Sequence, residues 1–179
     1  PGCGIVPGAL AMAERAGANG TALLRATALG YDIGTRMSMS LGAREFFNSG
    51  HCVHSFGNLF GAAAAAAALA RLNSTQVRHL LSYACQSASG IACYHRDIDH
   101  IEKSYDHGAR AARDAVAAAI MIEAGFTGVD DAFSGDKNFY FAFAQHAQPD
   151  LLSQDLGKTY EVMNTGIKRW TTGAPTQAV

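Results

Sequence analysis

Apolar positions fall at helical spacing in segment after segment of this chain, and Gly, Asn and Pro mark the breaks between segments. Val6, Leu10 and Ala13 predict a first helix over residues 7–15, with Pro7 in its first turn and Gly17 and Asn19-Gly20 ending it. Leu23, Leu24, Ala28, Tyr31 and Ile33 predict a longer helix over 21–41, on which Gly30 and Gly34 leave a smooth groove for a close neighbour. Residues 42–56 lose the periodicity and read as an ordered loop. Residues 58–72 form a helix dominated by Ala62 to Ala68, whose small side chains suit a central, closely packed position. Asn73, with Gln76 three residues on, is the capping box of a helix that buries Val77, Leu80, Leu81, Ala84 and Cys85 and closes at Gly90. Residues 109–124 give another helix. Shorter helical pieces are expected over 129–133 and 138–145, then a β-leaning stretch over 160–170. The pattern describes a mainly α protein, a helical bundle with one strand starting at its C-terminal edge.

Composition narrows the function classes. The chain has 179 residues, 49% hydrophobic and 16% charged, which excludes a disordered or coiled-coil reading. A net charge of −1 without a dense Lys/Arg block leaves no electrostatic footprint for nucleic acid. The alanine run is about half the ~20 residues of a membrane span. Cys3, Cys52, Cys85 and Cys93 show neither CxxC pairing nor scaffold density, so a reduced, cytoplasmic compartment is expected. The chain starts at Pro1-Gly2 and stops without a polar tail, and it is expected to be an excerpt of a longer protein.

Two stretches carry candidate chemistry. His51-Cys52-Val53-His54 precedes the alanine helix, whose N-terminus favours anions. A histidine pair three apart can also bind zinc, but no second ligand pair stands at suitable spacing, and His51 capping loop backbone is the bland alternative. The run from Asp97 to Gly108 is the most unusual. A solvated charged loop is the default for it. Yet Lys103 before a helix N-terminus can clamp a carboxylate or stabilise an enolate, and His107 or Tyr105 can move protons. Arg113 either adds an anion contact or pairs with Asp114 or Glu123. Phe139, Tyr140, Phe141 and Phe143 read as packing residues. Lys168-Arg169-Trp170 is a small basic-aromatic patch. Phosphate loops, GxGxxG, HExxH and G-x-S-x-G elbows are absent.

Taken in order, these landmarks resemble the MmgE/PrpD family. Pro1-Gly2-Cys3-Gly4-Ile5-Val6-Pro7-Gly8-Ala9-Leu10-Ala11 is similar to the family's HP-x-x-x-v-x-P-A-a-L-A helix start. His51, with Gly57 and Gly61-Ala62-Ala63-Ala64, is similar to its histidine and alanine segment, and Ser87-Ala88-Ser89-Gly90 to its S-x-A-s-G. Glu102-Lys103-Ser104-Tyr105-Asp106-His107-Gly108, followed by Arg113, resembles the lysine segment. Ala124-Gly125-Phe126-Thr127-Gly128 resembles r-G-F-T-G, and Gly166-Ile167-Lys168-Arg169-Trp170 the s-I-K-x-y that opens a second domain.

The resemblance implies a helical domain (here 1–159) and the start of an α+β lid (160–179), with the active site between them in a homodimer. It implies cofactor-independent lyase or isomerase chemistry on a small di- or tricarboxylate, with no metal. His51 and Lys103 match family active-site positions, with His107 and Tyr105 as further acid/base candidates and Arg113 and Lys168 as further carboxylate contacts. The acid and histidine expected upstream fall before Pro1, so the excerpt is expected to be inactive alone. The histidine-bearing segment expected after Lys168 is here Thr171-Thr172-Gly173-Ala174-Pro175-Thr176-Gln177, without histidine. A non-catalytic helical binding or assembly member is the alternative, and a metal-dependent hydrolase using His51, His54 and an acid a third reading.

Overall fold

The computed structural model describes residues 2–170 together with Thr172 and Gln177. It is an all-helical bundle wrapped around one central helix. The elements are α1 (Gly2–Ala16), α2 (Gly20–Ser40), α3 (Ala43–Asn48), α4 (Val53–Leu69), α5 (Ser74–Ser87), α6 (Ile101–Ser104), α7 (Arg110–Glu123) and α8 (Phe139–Phe143). A π-helical turn, Tyr105–Ala109, joins α6 to α7, and 3-10 turns lie at Ala92–Arg96, Pro149–Leu152 and Glu161–Asn164.

Helix α4 is the centre, packed by α1, α2, α5 and α7. Phe56, Phe60, Ala62, Ala63, Ala65 and Ala66 are all fully buried. Burial all round explains the alanines: side chains of one carbon let four neighbours approach one axis without voids. Against α2 the approach is closer still. A Cβ on Gly30 would sit 2.8 Å from the Gly61 carbonyl oxygen, and one on Gly34 would sit 2.5 Å from that of Gly57. The reverse pairs, Gly61 against the Gly30 carbonyl and Gly57 against that of Gly34, are equally tight at 2.5 and 2.8 Å. The groove expected from Gly30 and Gly34 is therefore matched by a second one on the facing helix.

Capping follows local chemistry. Asn19 accepts from the Ala22 amide and starts α2, while Asn73 and Gln76 form the expected capping box of α5. The buried Asn58 amide oxygen accepts from the Gly4 amide at 3.1 Å, satisfying a free N–H in the first turn of α1.

Several expected boundaries differ. Helix α1 begins at Gly2, so Pro7 lies inside it and the Cys3 carbonyl loses its intrahelical donor. The loop expected over 42–56 contains α3 and the first turn of α4, since a six-residue helix and a helix buried on every side show no polar stripe. Residues 129–133 form no helix. They turn instead on Asp131, whose side chain accepts from the amides of Phe133 and Ser134. Of the expected packing aromatics, Phe139 and Tyr140 are buried, but Phe141 is 76% exposed.

The β-leaning stretch over 160–170 is a 3-10 turn followed by irregular chain, with no strand among the described residues. Among the described residues no neighbouring strand offers it a ladder, so its backbone groups bond locally or to a side chain of α2. That segment is fastened to α2. The buried Arg36 bonds the Asp32 carboxylate and donates to the carbonyls of Gln154 (2.5 Å) and Thr159 (2.7 Å), while Asp32 accepts from the Glu161 amide (2.6 Å). Among the described residues no helix is long and apolar enough to cross a membrane.

Candidate active site

The N-terminus of α4, the Ser87–Gly90 turn and the π-turn before α7 meet at one edge of the bundle. Backbone bonds fix the first two: the Cys52 amide donates to the Gly90 carbonyl (3.0 Å), and the Ala92 amide to that of Gly50 (2.8 Å). Gly90 has φ +135°, and a Cβ there would lie 2.8 Å from Ser55 Cβ and 3.1 Å from Cys52 Cβ. Only glycine fits both the backbone angle and the space.

The π-turn is tied in by charge. The buried Asp106 accepts from Ser55 Oγ at 2.5 Å and from Arg110 Nη2 at 3.2 Å. Arg110 also donates to the carbonyls of Ser87 (3.2 Å) and Ser89 (2.7 Å). One guanidinium thus holds the serine turn and the π-turn together. Asp97 has a local role, accepting from the amides of Asp99 and Glu102 and so starting α6. That part of the acidic run is structural.

These ties bring two histidines face to face. The His54 and His107 rings are parallel, with centroids 4.8 Å apart, and Tyr94 stands edge-on to His107 at 4.6 Å. Burial lowers the His107 pKa to about 4, with the neighbouring His54 and Lys103 adding and Asp106 opposing. Burial also lowers His54, which is open to solvent on one side, and Lys103 adds to that effect. Both rings are therefore neutral at neutral pH, able to accept a proton beside a half-buried ammonium. Burial raises Tyr94 to about 12 and raises the Cys52 thiol, so both stay protonated. The ligand atoms of Cys52, His54 and His107 all lie within 4.8 Å of one another.

The structure brings together some of the sequence-predicted residues and not others. Lys103 and His107 belong to this cluster. His51 is directed elsewhere: it stacks on Phe46 at 4.4 Å and meets Phe56 and Phe143 edge-on, lining a separate cavity of about 500 Å3. Tyr105 is 49% exposed on the outer side of the π-turn. Arg113 is exposed and donates to Asp114 at 2.8 Å, the pairing alternative weighed for it. Lys168 is exposed and bonds the Thr172 carbonyl. Of the positions standing where a lid histidine was expected, Gly173 lies outside the described residues, and Gln177 bonds back to Trp170 and Thr172.

Sequence reasoning passed over Tyr94, Ser55, Asp106 and Arg110, and weighed His54 only as a metal ligand. The available signal was helical phase. Once α4 is known to start at Val53, His54 lies in its first turn, one residue before the Ser55 that holds the π-turn. Another cavity, of about 1050 Å3, lies apart from all of these, lined by Arg15, Arg25 and Arg71 among others.

Comparison with curated proteins gives no match. Among family models, that of the MmgE/PrpD N-terminal domain matches residues 1–152, most of the bundle and every element of the cluster. The chain belongs to the MmgE/PrpD family.

Proposed function

We propose that this protein works as a cofactor-independent lyase or isomerase on a small di- or tricarboxylate, within the dehydratase-like chemistry that its family suggests. The observation that carries the proposal is the pair of neutral imidazoles, His54 and His107, beside Lys103 at the N-terminal end of α4. One imidazole takes the proton on the carbon next to a carboxylate. The electron pair moves into that carboxylate, where the Lys103 ammonium stabilises the enolate-like intermediate. In dehydration the departing hydroxyl takes a proton and leaves as water; in isomerisation a proton returns to the carbon.

His54 is preferred to His51 for the acid/base role, because its ring, not that of His51, faces His107. Tyr94 is a further proton-relay candidate beside His107. A homodimer, a cytoplasmic location and a second domain beginning near residue 160 belong to the same reading. The lack of histidine in residues 171–177 favours one alternative, a non-catalytic binding or assembly member of the fold.

The test is Lys103→Ala in the full-length protein, assayed on a panel of polycarboxylates. Loss of a stabiliser of this kind lowers kcat by roughly 10²- to 10³-fold. Undiminished turnover rules out the assignment, and no turnover by the wild-type protein on any acid supports the non-catalytic member.

A further inference from the structure

We infer that Cys52, His54 and His107 form a binding site for a thiophilic divalent cation of the zinc class, and that occupancy of this site switches the proposed chemistry off. The three side chains come from the residue before α4, the first turn of α4 and the π-turn, and their ligand atoms already lie within 4.8 Å of one another. One thiolate and two imidazoles make a donor set that suits zinc, with a water or carboxylate in the fourth position.

A second observation points to a missing ligand. His107 Nε2 is buried and bonds to nothing in the protein, although a buried ring nitrogen without a partner is costly. Cys52 is fully buried, while His54 is open to solvent, so an ion reaches the thiol along the exposed side of His54.

The geometry also states what binding requires. Tetrahedral zinc holds its ligands at about 2.0–2.3 Å, which places ligand atoms roughly 3.3–3.8 Å apart. Ligand atoms standing within 4.8 Å of one another must therefore close up by at most about 1–1.5 Å. The lone pairs of two stacked rings lie in separate parallel planes, so one imidazole must rotate out of the stack for both nitrogens to point at a single ion. The exposed His54 has the room to do so. The Cys52 thiol loses its proton to solvent on binding.

This site reuses the histidines of the proposed reaction, so inhibition rests on that reading while binding does not. With the ring nitrogens ligated, neither imidazole is free to accept a substrate proton.

The experiment is titration of the full-length protein with Zn2+ alone and with Co2+ alone. The expected result is one ion per chain, with the cobalt form showing tetrahedral visible bands and a thiolate-to-metal charge-transfer band. Cys52→Ser abolishes the charge-transfer band. His54→Gln, at an exposed side chain that does not threaten folding, weakens binding at least about tenfold, whereas His146→Gln leaves it unchanged. An octahedral cobalt spectrum, or His54→Gln binding as tightly as wild type, overturns the site. If a polycarboxylate is turned over, Zn2+ inhibits with the same concentration dependence as binding, and a chelator restores the rate. Binding without inhibition keeps the site and overturns the switch. Binding in a protein without turnover refutes the catalytic reading and leaves the site standing.

Discussion

Replacing Arg36 by Met tests whether the Arg36–Asp32 pair holds the segment around residues 154–161 onto α2. The guanidinium is 2% exposed and serves three acceptors: the Asp32 carboxylate at 3.2 Å and the carbonyls of Gln154 and Thr159. Met keeps much of the volume but leaves a 3% exposed carboxylate without its counter-charge and two carbonyls without donors. Breaking a buried pair by removing one partner costs about 3–5 kcal/mol. The loss is local, because the segment makes contacts with α2 and few with α4, whereas the main core lies among α1, α2, α4 and α7. At 1.4 kcal/mol per tenfold, amide exchange in the segment should accelerate by roughly two to four orders of magnitude. The Glu161 amide, which donates to Asp32, is the reporter. Exchange in α1 and α4 peptides should move far less. The reasoning is refuted if exchange over 154–161 matches wild type, or if α4 accelerates equally. Adding Asp32→Leu to Arg36→Met should recover part of the loss, since the uncompensated charge is then gone.

Gly61→Ala puts a methyl group 2.5 Å from the Gly30 carbonyl and should cost at least about 1–3 kcal/mol as overpacking, read as a fall in Tm. Asn73→Ala removes the capping box of α5 and should cost about 1 kcal/mol in denaturant unfolding, with no effect on catalysis. His107 has a folded pKa of about 4 against 6.5 when unfolded, so the unfolded chain binds the extra proton between those values. Its contribution to stability is therefore full above pH 6.5 and falls as pH drops toward 4. Unfolding titrations should show a shallower acid slope in His107→Gln than in wild type over that window.

Features built from neighbours in sequence were legible before the structure. The Asn73–Gln76 box, the span of α2 and the Gly30/Gly34 groove all depend on residues within a few positions of one another. Features that depend on phase or on distant partners were not. Every residue from Ser55 to Ala63 is buried, more than two full turns of α4, so no polar stripe marks where that helix begins. The start at Val53 in turn decides which histidine meets Lys103 and His107. Sequence placed a His51/His54 pair near the site, and only the helical phase separates a ring stacked on Phe46 from a ring stacked on His107. Asp106 was visible only as one more charge in a polar run. Its partner Ser55 is 51 residues away and nothing local points to it.

The π-turn explains how adjacent residues serve the site differently. Pro7 leaves the Cys3 carbonyl of α1 without an intrahelical donor, and the chain at Gly108 packs against that carbonyl so closely that a Cβ would lie 2.8 Å from it. Gly108 thus has to be glycine, and it pins the turn to α1. Within the turn the Arg110 amide bonds back five residues to the Tyr105 carbonyl, which widens the helix by one residue just where Asp106 and His107 both face the bundle. Asp106 then reaches Ser55 while His107 reaches His54, two side chains in the first turn of the same helix. The separation of the two histidines is accordingly set by the packing of α4 against α7, where Ala62, Ala63, Ala111 and Ala115 are all fully buried. An alanine interface has little freedom to slide, since each methyl group already fills its space. The rigidity of the core and the geometry of the site are in this sense one property, carried by the same alanines.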